Sequence, residues 1–148
     1  MNTMTAAPVL IMKRVFDASP ARVFDAWLTH EQFRQWIGPE GVTCDVPVFE
    51  PRVGGRYKIV MKMSDGSTLP VVGTFQTVDR PKGFSMTWKW ESGEDDSLVT
   101  VSLHDLGGKT ELILRHDGLQ TAENCNAHVR RWNGTLNKLA RLLAGAKS

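Results

Sequence analysis

The hydrophobic period of this chain changes twice along its length, and each change dictates a different backbone geometry. From residue 42 apolar side chains recur at every second position, and after about residue 121 they recur at helical spacing. Tyr57, Ile59, Met61 and Met63 alternate with Arg56, Lys58, Val60 and Lys62, the pattern of a half-buried strand. Val71 to Val78 continues the sheet. Phe84, Met86, Trp88 and Trp90 then share one strand face, as do Val99, Val101 and Leu103, and finally Leu112, Leu114 and His116. Asp65-Gly66 and the Gly107-Gly108 pair reverse the chain between these runs. From about Thr121 to Leu143, Cys125, Val129, Trp132, Leu136, Leu139 and Leu143 form one stripe at about 100° per residue. Glu123, Arg130, Asn133, Asn137 and Arg141 face the other way. An apolar sheet face and an apolar helix stripe bury each other, so the helix should lie across the concave face of the sheet.

The N-terminal part adds a strand and two short helices. Val9 to Phe16 reads as the strand. Ser19 is placed to cap a helix with Pro20 at its first position, and Val23, Phe24 and Trp27 fall on one face of it. Phe33, Trp36 and Ile37 repeat that spacing in a second helix, which Gly38-Pro39 stops. The class is therefore α+β, an antiparallel sheet of about six strands gripping a C-terminal helix. The exposed Gly134 weakens that helix by up to about 1 kcal/mol relative to alanine, and the sequence supplies no reason for it.

Bulk properties bound the function. At 148 residues the chain suits one domain, read as residues 8–146 behind a mobile tail at 1–7. The net charge of +2, from 18 basic and 16 acidic residues, leaves no concentrated basic footprint and argues against nucleic acid. Two cysteines, Cys44 and Cys125, make neither a metal-spaced pair nor a disulfide framework, which suits a reducing cytoplasmic compartment. No apolar run approaches the roughly 18 residues of a membrane helix, so membrane insertion is not expected. The first residues lack the basic start and long apolar core of a signal peptide. The acidic stretch Glu91 to Ser97 reads as a hairpin loop.

Gly54-Gly55 raises the question of a phosphate cradle. A P-loop runs from its glycines into Lys-Ser/Thr at a helix start, whereas Gly54-Gly55-Arg56-Tyr57 runs into a two-residue alternation. A dinucleotide site needs a parallel βαβ unit, which is missing here. These glycines ease tight backbone geometry at the start of a strand, and no cofactor is expected.

The segments RVFDASPARVFDAWLTHEQFRQWIGPEG (14–41), PRVGGRY (51–57), MSDGS (63–67) and TWKW (87–90) carry a family resemblance. In this order they resemble the activator-of-heat-shock-chaperone-ATPase homologue family, within the START-like, helix-grip (SRPBCC) superfamily. HVRRWNGTLNKLARLL (128–143) is similar to its terminal helix, with Arg131 where the family usually has glycine before the tryptophan. The resemblance spans about residues 9 to 144. It implies a curved antiparallel sheet of six to seven strands around the long helix, with a deep, largely apolar cavity between them. It brings no universal catalytic set.

Candidate chemistry is sparse. His30, His104, His116 and His128 show no metal-ligand spacing. His30 opens a helix, His104 faces outward, and His116 ends a strand where it should be partly wet. His128 lies about 40° from Trp132 on the helix, at the edge of the stripe, and is the one weak catalytic candidate. Glu111 should face solvent and Asp117-Gly118 should turn. Cys125 lies one helical turn from His128, but its central place in the stripe reads as core. No serine sits in a G-x-S-x-G elbow.

Aromatic and methionine side chains are the most informative set, because together they make an adaptable wall for an apolar guest. The expected cavity lining is Tyr57, Ile59, Met61, Phe75, Met86, Trp88, Val101 and Leu114 from the sheet. His128, Trp132 and Leu136 join it from the helix. Binding of a small apolar or aromatic metabolite or lipid is the first reading of function. A co-chaperone-like protein-interaction domain, with a chaperone or other protein partner, is the second. A cyclase- or hydrolase-type enzyme working in the cavity is the third. Either a monomer or a homodimer is compatible with the sequence.

Overall fold

The structure, a computed structural model, describes residues 9–91, 97–119 and 121–145. The expected tail at 1–7 and most of the acidic loop between Glu91 and Ser97 lie outside the described residues, as does the expected domain limit at 146. The elements run β1 (Leu10–Phe16), α1 (Pro20–Leu28), α2 (His30–Trp36), β2 (Thr43–Phe49), β3 (Arg56–Lys62), β4 (Thr68–Asp79), β5 (Gly83–Trp90), β6 (Ser97–Asp105), β7 (Thr110–Asp117) and α3 (Ala122–Gly145). Seven strands form one sheet in the order β1-β7-β6-β5-β4-β3-β2. Every neighbouring pair is antiparallel. The curved sheet, the two short helices after β1 and the long closing helix make the helix-grip fold.

Local chemistry places the elements as the sequence implies. The Ser19 side chain accepts a hydrogen bond from the Arg22 amide at 3.2 Å, which satisfies a backbone donor that the first helical turn leaves open. The Asp65 carboxylate accepts from the Ser67 amide at 2.9 Å and stabilises the β3–β4 turn. Gly54 has φ +81°, and a Cβ on Gly55 would stand 1.9 Å from the Glu50 carbonyl oxygen. Only glycine fits that approach. The two amide groups beside it are used in the sheet, since Gly54 N donates to Phe75 O and Phe75 N to Gly55 O, each at 2.8 Å. These glycines thus turn a corner in a sheet.

The core lies between the concave sheet face and the three helices. Trp27 and Trp36 cross edge-on at 4.5 Å between ring centres, and Trp27 reaches Phe84 on the sheet at 5.3 Å and Trp132 on α3 at 6.2 Å. Such pairs add about 0.5–1.5 kcal/mol each beyond the area they bury. Trp36 also donates to the Ala26 carbonyl at 2.9 Å, which locks α2 against α1.

Three expectations for α3 need correction. Val129 is 39 % exposed, while Thr135 and His128 are buried at 3 % each. The buried face is therefore rotated toward Thr135 and His128, and Val129 stands on its outer rim. Asn137 is half-buried instead of facing away, because Arg14 of β1 donates to it at 2.9 Å and to Asn133 at 2.8 Å. Gly134 also has a reason. A Cβ there would lie 3.1 Å from the Glu40 amide nitrogen, so the helix meets the α2–β2 loop at a residue without a side chain.

Candidate functional site

Where α3 crosses the sheet below the α2–β2 loop, a cleft remains. Met61 of β3 and Trp88 and Trp90 of β5 form its floor. His128, Arg131, Trp132 and Thr135 of α3 form one wall, and Ile37, Gly38 and Pro39 form the rim. Its volume is about 20 Å³, room for about one water. Trp88 and Trp132 meet across it with ring centres 5.1 Å apart. The Arg131 guanidinium lies 5.5 Å from the centre of the Trp90 ring, a cation–π contact.

All eleven side chains expected to line a cavity are buried, ten of them in one hydrophobic core (Tyr57, Ile59, Met61, Phe75, Met86, Trp88, Val101, Leu114, Trp132 and Leu136) and His128 as a buried polar group. Met61, Trp88, His128 and Trp132 border the cleft. The other seven pack around it as core. The cleft is smaller than the deep cavity that the resemblance implies, because Trp27, Phe33 and Trp36 from the short helices fill space beside Trp132 and Phe49.

His116, expected to be partly wet, is fully buried. It pairs in register with Leu10 of β1 and Val99 of β6, so neighbours cover it on both sides while Trp132 covers it from above. The Trp132 indole donates to His116 Nδ1 at 3.1 Å. His116 Nε2 donates to Ser97 Oγ at 2.8 Å, and that hydroxyl donates to the Trp88 carbonyl at 2.7 Å. The indole is a donor only, so the chain of bonds fixes one neutral tautomer. Burial, reinforced by the neighbouring His128, pushes the His116 pKa down to about 3.

His128 stands 5.0 Å from His116, ring centre to ring centre. Its Nδ1 donates to the Asn124 carbonyl at 2.9 Å. Burial lowers its pKa below 6.5, Arg131 adds to that, and the Asn124 bond opposes it. Its Nε2 is buried and without a hydrogen-bond partner, as is Trp88 Nε1. Cys125 is buried, as expected of core. Among the described residues no group of three or more His, Cys, Asp or Glu is placed to hold a metal ion.

The rim is fastened to α3 by a lysine. Lys138 Nζ donates to the carbonyls of Val42 at 2.9 Å and Gly38 at 3.2 Å, with those of Ile37 and Pro39 each at 3.4 Å. Burial among these groups lowers its pKa from 10.5. Beside it, burial pushes the Cys44 thiol up to about 11. Arg141 adds a two-pronged bond to Glu40 at 2.6 and 3.0 Å.

Sequence reasoning missed Ile37, Gly38, Pro39, Trp90, Arg131 and Thr135 as cleft residues, and Ser97 and His116 as its polar support. Arg131 carried a signal, since it departs from the family pattern next to Trp132. Trp90 carried one too, since it shares a strand face with Trp88, whereas Gly38-Pro39 reads only as a helix stop.

Comparisons agree with this architecture. The family described as activator of Hsp90 ATPase homolog 1-like protein matches residues 17–144. A crystal structure of a Chromobacterium violaceum protein is 25% identical, with a TM-score of 0.86 over 91% of this chain and 96% of the other. The AHSA1 protein from Silicibacter pomeroyi is 29% identical, with a TM-score of 0.83 over 93% of this chain and 98% of the other. A search of curated proteins finds no match. With the fold, the ordered motifs and most of its length in agreement, the chain belongs to the activator of Hsp90 ATPase homologue 1-like family.

Proposed function

We propose that this protein binds a small apolar or aromatic metabolite in the cleft between β3, β5 and α3. One observation carries the reading. An aromatic-walled cleft lies in the seam between helix and sheet, and its rim is the Ile37–Pro39 segment rather than a strand or a helix. A cleft of about 20 Å³ takes a larger guest only when that rim moves. The guest then selects an open state populated at a low level. Apolar burial supplies the driving force, about 25 cal/mol per Å² before the costs of ordering and opening.

Thermal unfolding with a panel of naphthalene-sized aromatics, together with native mass spectrometry of the fresh protein, tests this. Guest at about one hundred times its Kd stabilises the fold by about 2.7 kcal/mol, which raises the melting temperature by several degrees. An added mass lost on denaturation is the matching result. A bare mass with no stabilisation by any guest contradicts the reading.

A second reading rests on a separate surface. Ile11 is 55 % and Val15 52 % exposed on the outer face of the edge strand β1. They suit a protein-interaction role of the kind the family name describes, for which retention of a partner by the intact protein and loss of it on Ile11→Lys is the test.

A further inference from the structure

Two unpaired polar atoms give the cleft a chemical preference. Trp88 Nε1 and His128 Nε2 are buried without a hydrogen-bond partner, and both side chains border the same cleft. Trp88 is 5 % and His128 3 % exposed, and buried polar groups are normally paired. The two atoms are of opposite kind. An indole nitrogen only donates. The His128 Nδ1 faces the Asn124 carbonyl at 2.9 Å, an acceptor, so Nδ1 carries the proton and Nε2 presents a lone pair.

One orphan donor and one orphan acceptor, on two side chains that border a single small cleft, call for a group that does both. A hydroxyl has one donor and two lone pairs. An ether, a ketone or a carboxylate accepts only, and an ammonium donates only. A primary amide divides the two roles between separate atoms, whereas a hydroxyl makes both bonds at one oxygen. The walls of Trp88, Trp90, Trp132 and Met61 favour an aromatic body behind that group.

We propose that the cleft recognises the hydroxyl of a phenol- or naphthol-type guest, its oxygen donating to His128 Nε2 and accepting from Trp88 Nε1. This rests on the reading of the cleft as a guest site and adds the guest's polar end. A guest with a hydroxyl supplies both bonds. A guest without one leaves two buried groups unpaired.

The test compares 1-naphthol, 1-methoxynaphthalene and naphthalene by calorimetric titration of the full-length protein at neutral pH. Simple apolar burial ranks naphthol weakest, because its hydroxyl must leave water. The hydroxyl site reverses this order, with 1-naphthol about tenfold or more tighter than either competitor. The methoxy compound can accept from Trp88 but cannot donate to His128. His128→Phe and Trp88→Phe, each checked for native circular dichroism, should bring the three affinities together. The wild-type comparison stands even if a variant fails to fold. Equal affinities in the wild type overturn the hydroxyl assignment and leave the cleft as an apolar site. A naphthol preference that survives both substitutions also overturns it. Failure of all three to bind removes the guest-site reading as well.

Discussion

The Trp132 indole and the His116 imidazole are joined by a 3.1 Å hydrogen bond between α3 and β7, the strand next to the edge strand β1. It is one of the few directed contacts across an otherwise apolar seam, and it places Trp132 at the edge of the cleft. Apolar packing tolerates small rotations of a helix, whereas a bond to a fixed tautomer specifies its register.

Replacing Trp132 with phenylalanine leaves His116 Nδ1 buried without a donor. An unsatisfied buried group costs about 1–3 kcal/mol, and the smaller ring adds a packing loss. Urea denaturation should show a stability loss of at least that size. Urea unfolding unchanged from wild type would mean that water or another donor replaces the indole.

Stability should fall with acid through His116. Its pKa is 6.5 in the ordinary state and about 3 when folded. Between these values the unfolded chain binds the extra proton, so stability rises with pH across the window. The contribution is fully present above about pH 6.5 and is lost as the pH falls toward 3. Each pKa unit corresponds to about 1.4 kcal/mol, so the loss amounts to a few kcal/mol. His116→Asn should flatten this slope between pH 6.5 and 4, and chemical denaturation at several pH values reads it directly.

Lys138 is predicted to hold the rim closed. Lys138→Met keeps the length of the stem and removes the donor that serves four carbonyls of residues 37–42. The Val42 amide, which donates to the Pro39 carbonyl at 3.1 Å, should exchange its hydrogen faster, while amides in β6 and β7 keep their protection. Equal loss of protection everywhere would show a global destabilisation instead of a loosened rim.

Arg131→Gly restores the residue that the family usually has before this tryptophan. It removes the guanidinium lying over Trp90 and widens the mouth. Aromatic guests should associate faster, measured by stopped-flow fluorescence, at a cost of about 1 kcal/mol in helix stability. Unchanged association rates would place the barrier at the 37–39 rim.

Much of the fold was legible because it rests on local signals. The alternation of Tyr57, Ile59 and Met61, the Ser19-Pro20 cap and the Asp65-Gly66 turn each act within a few residues. The burial of all eleven expected lining residues follows from the same periodicity. What the sequence hid depends on contacts between distant segments. Lys138 reaches Gly38 across 100 positions, and nothing local marks it as more than a surface lysine. His116 was read as partly wet because a strand end normally frays, whereas Trp132 closes over it. The volume left under α3 depends on how Trp27 and Trp36 pack against Trp132, a matter of side-chain geometry that periodicity does not encode.

A two-dimensional NMR titration can follow the Met61 methyl and the indole N–H signals of Trp88 and Trp132 as 1-naphthol is added. Binding in the cleft predicts saturable shifts at these three residues, with Lys58 and Lys89 on the outer sheet face unmoved. Shifts confined to the outer face, or none at saturating guest, would contradict a binding site beneath α3.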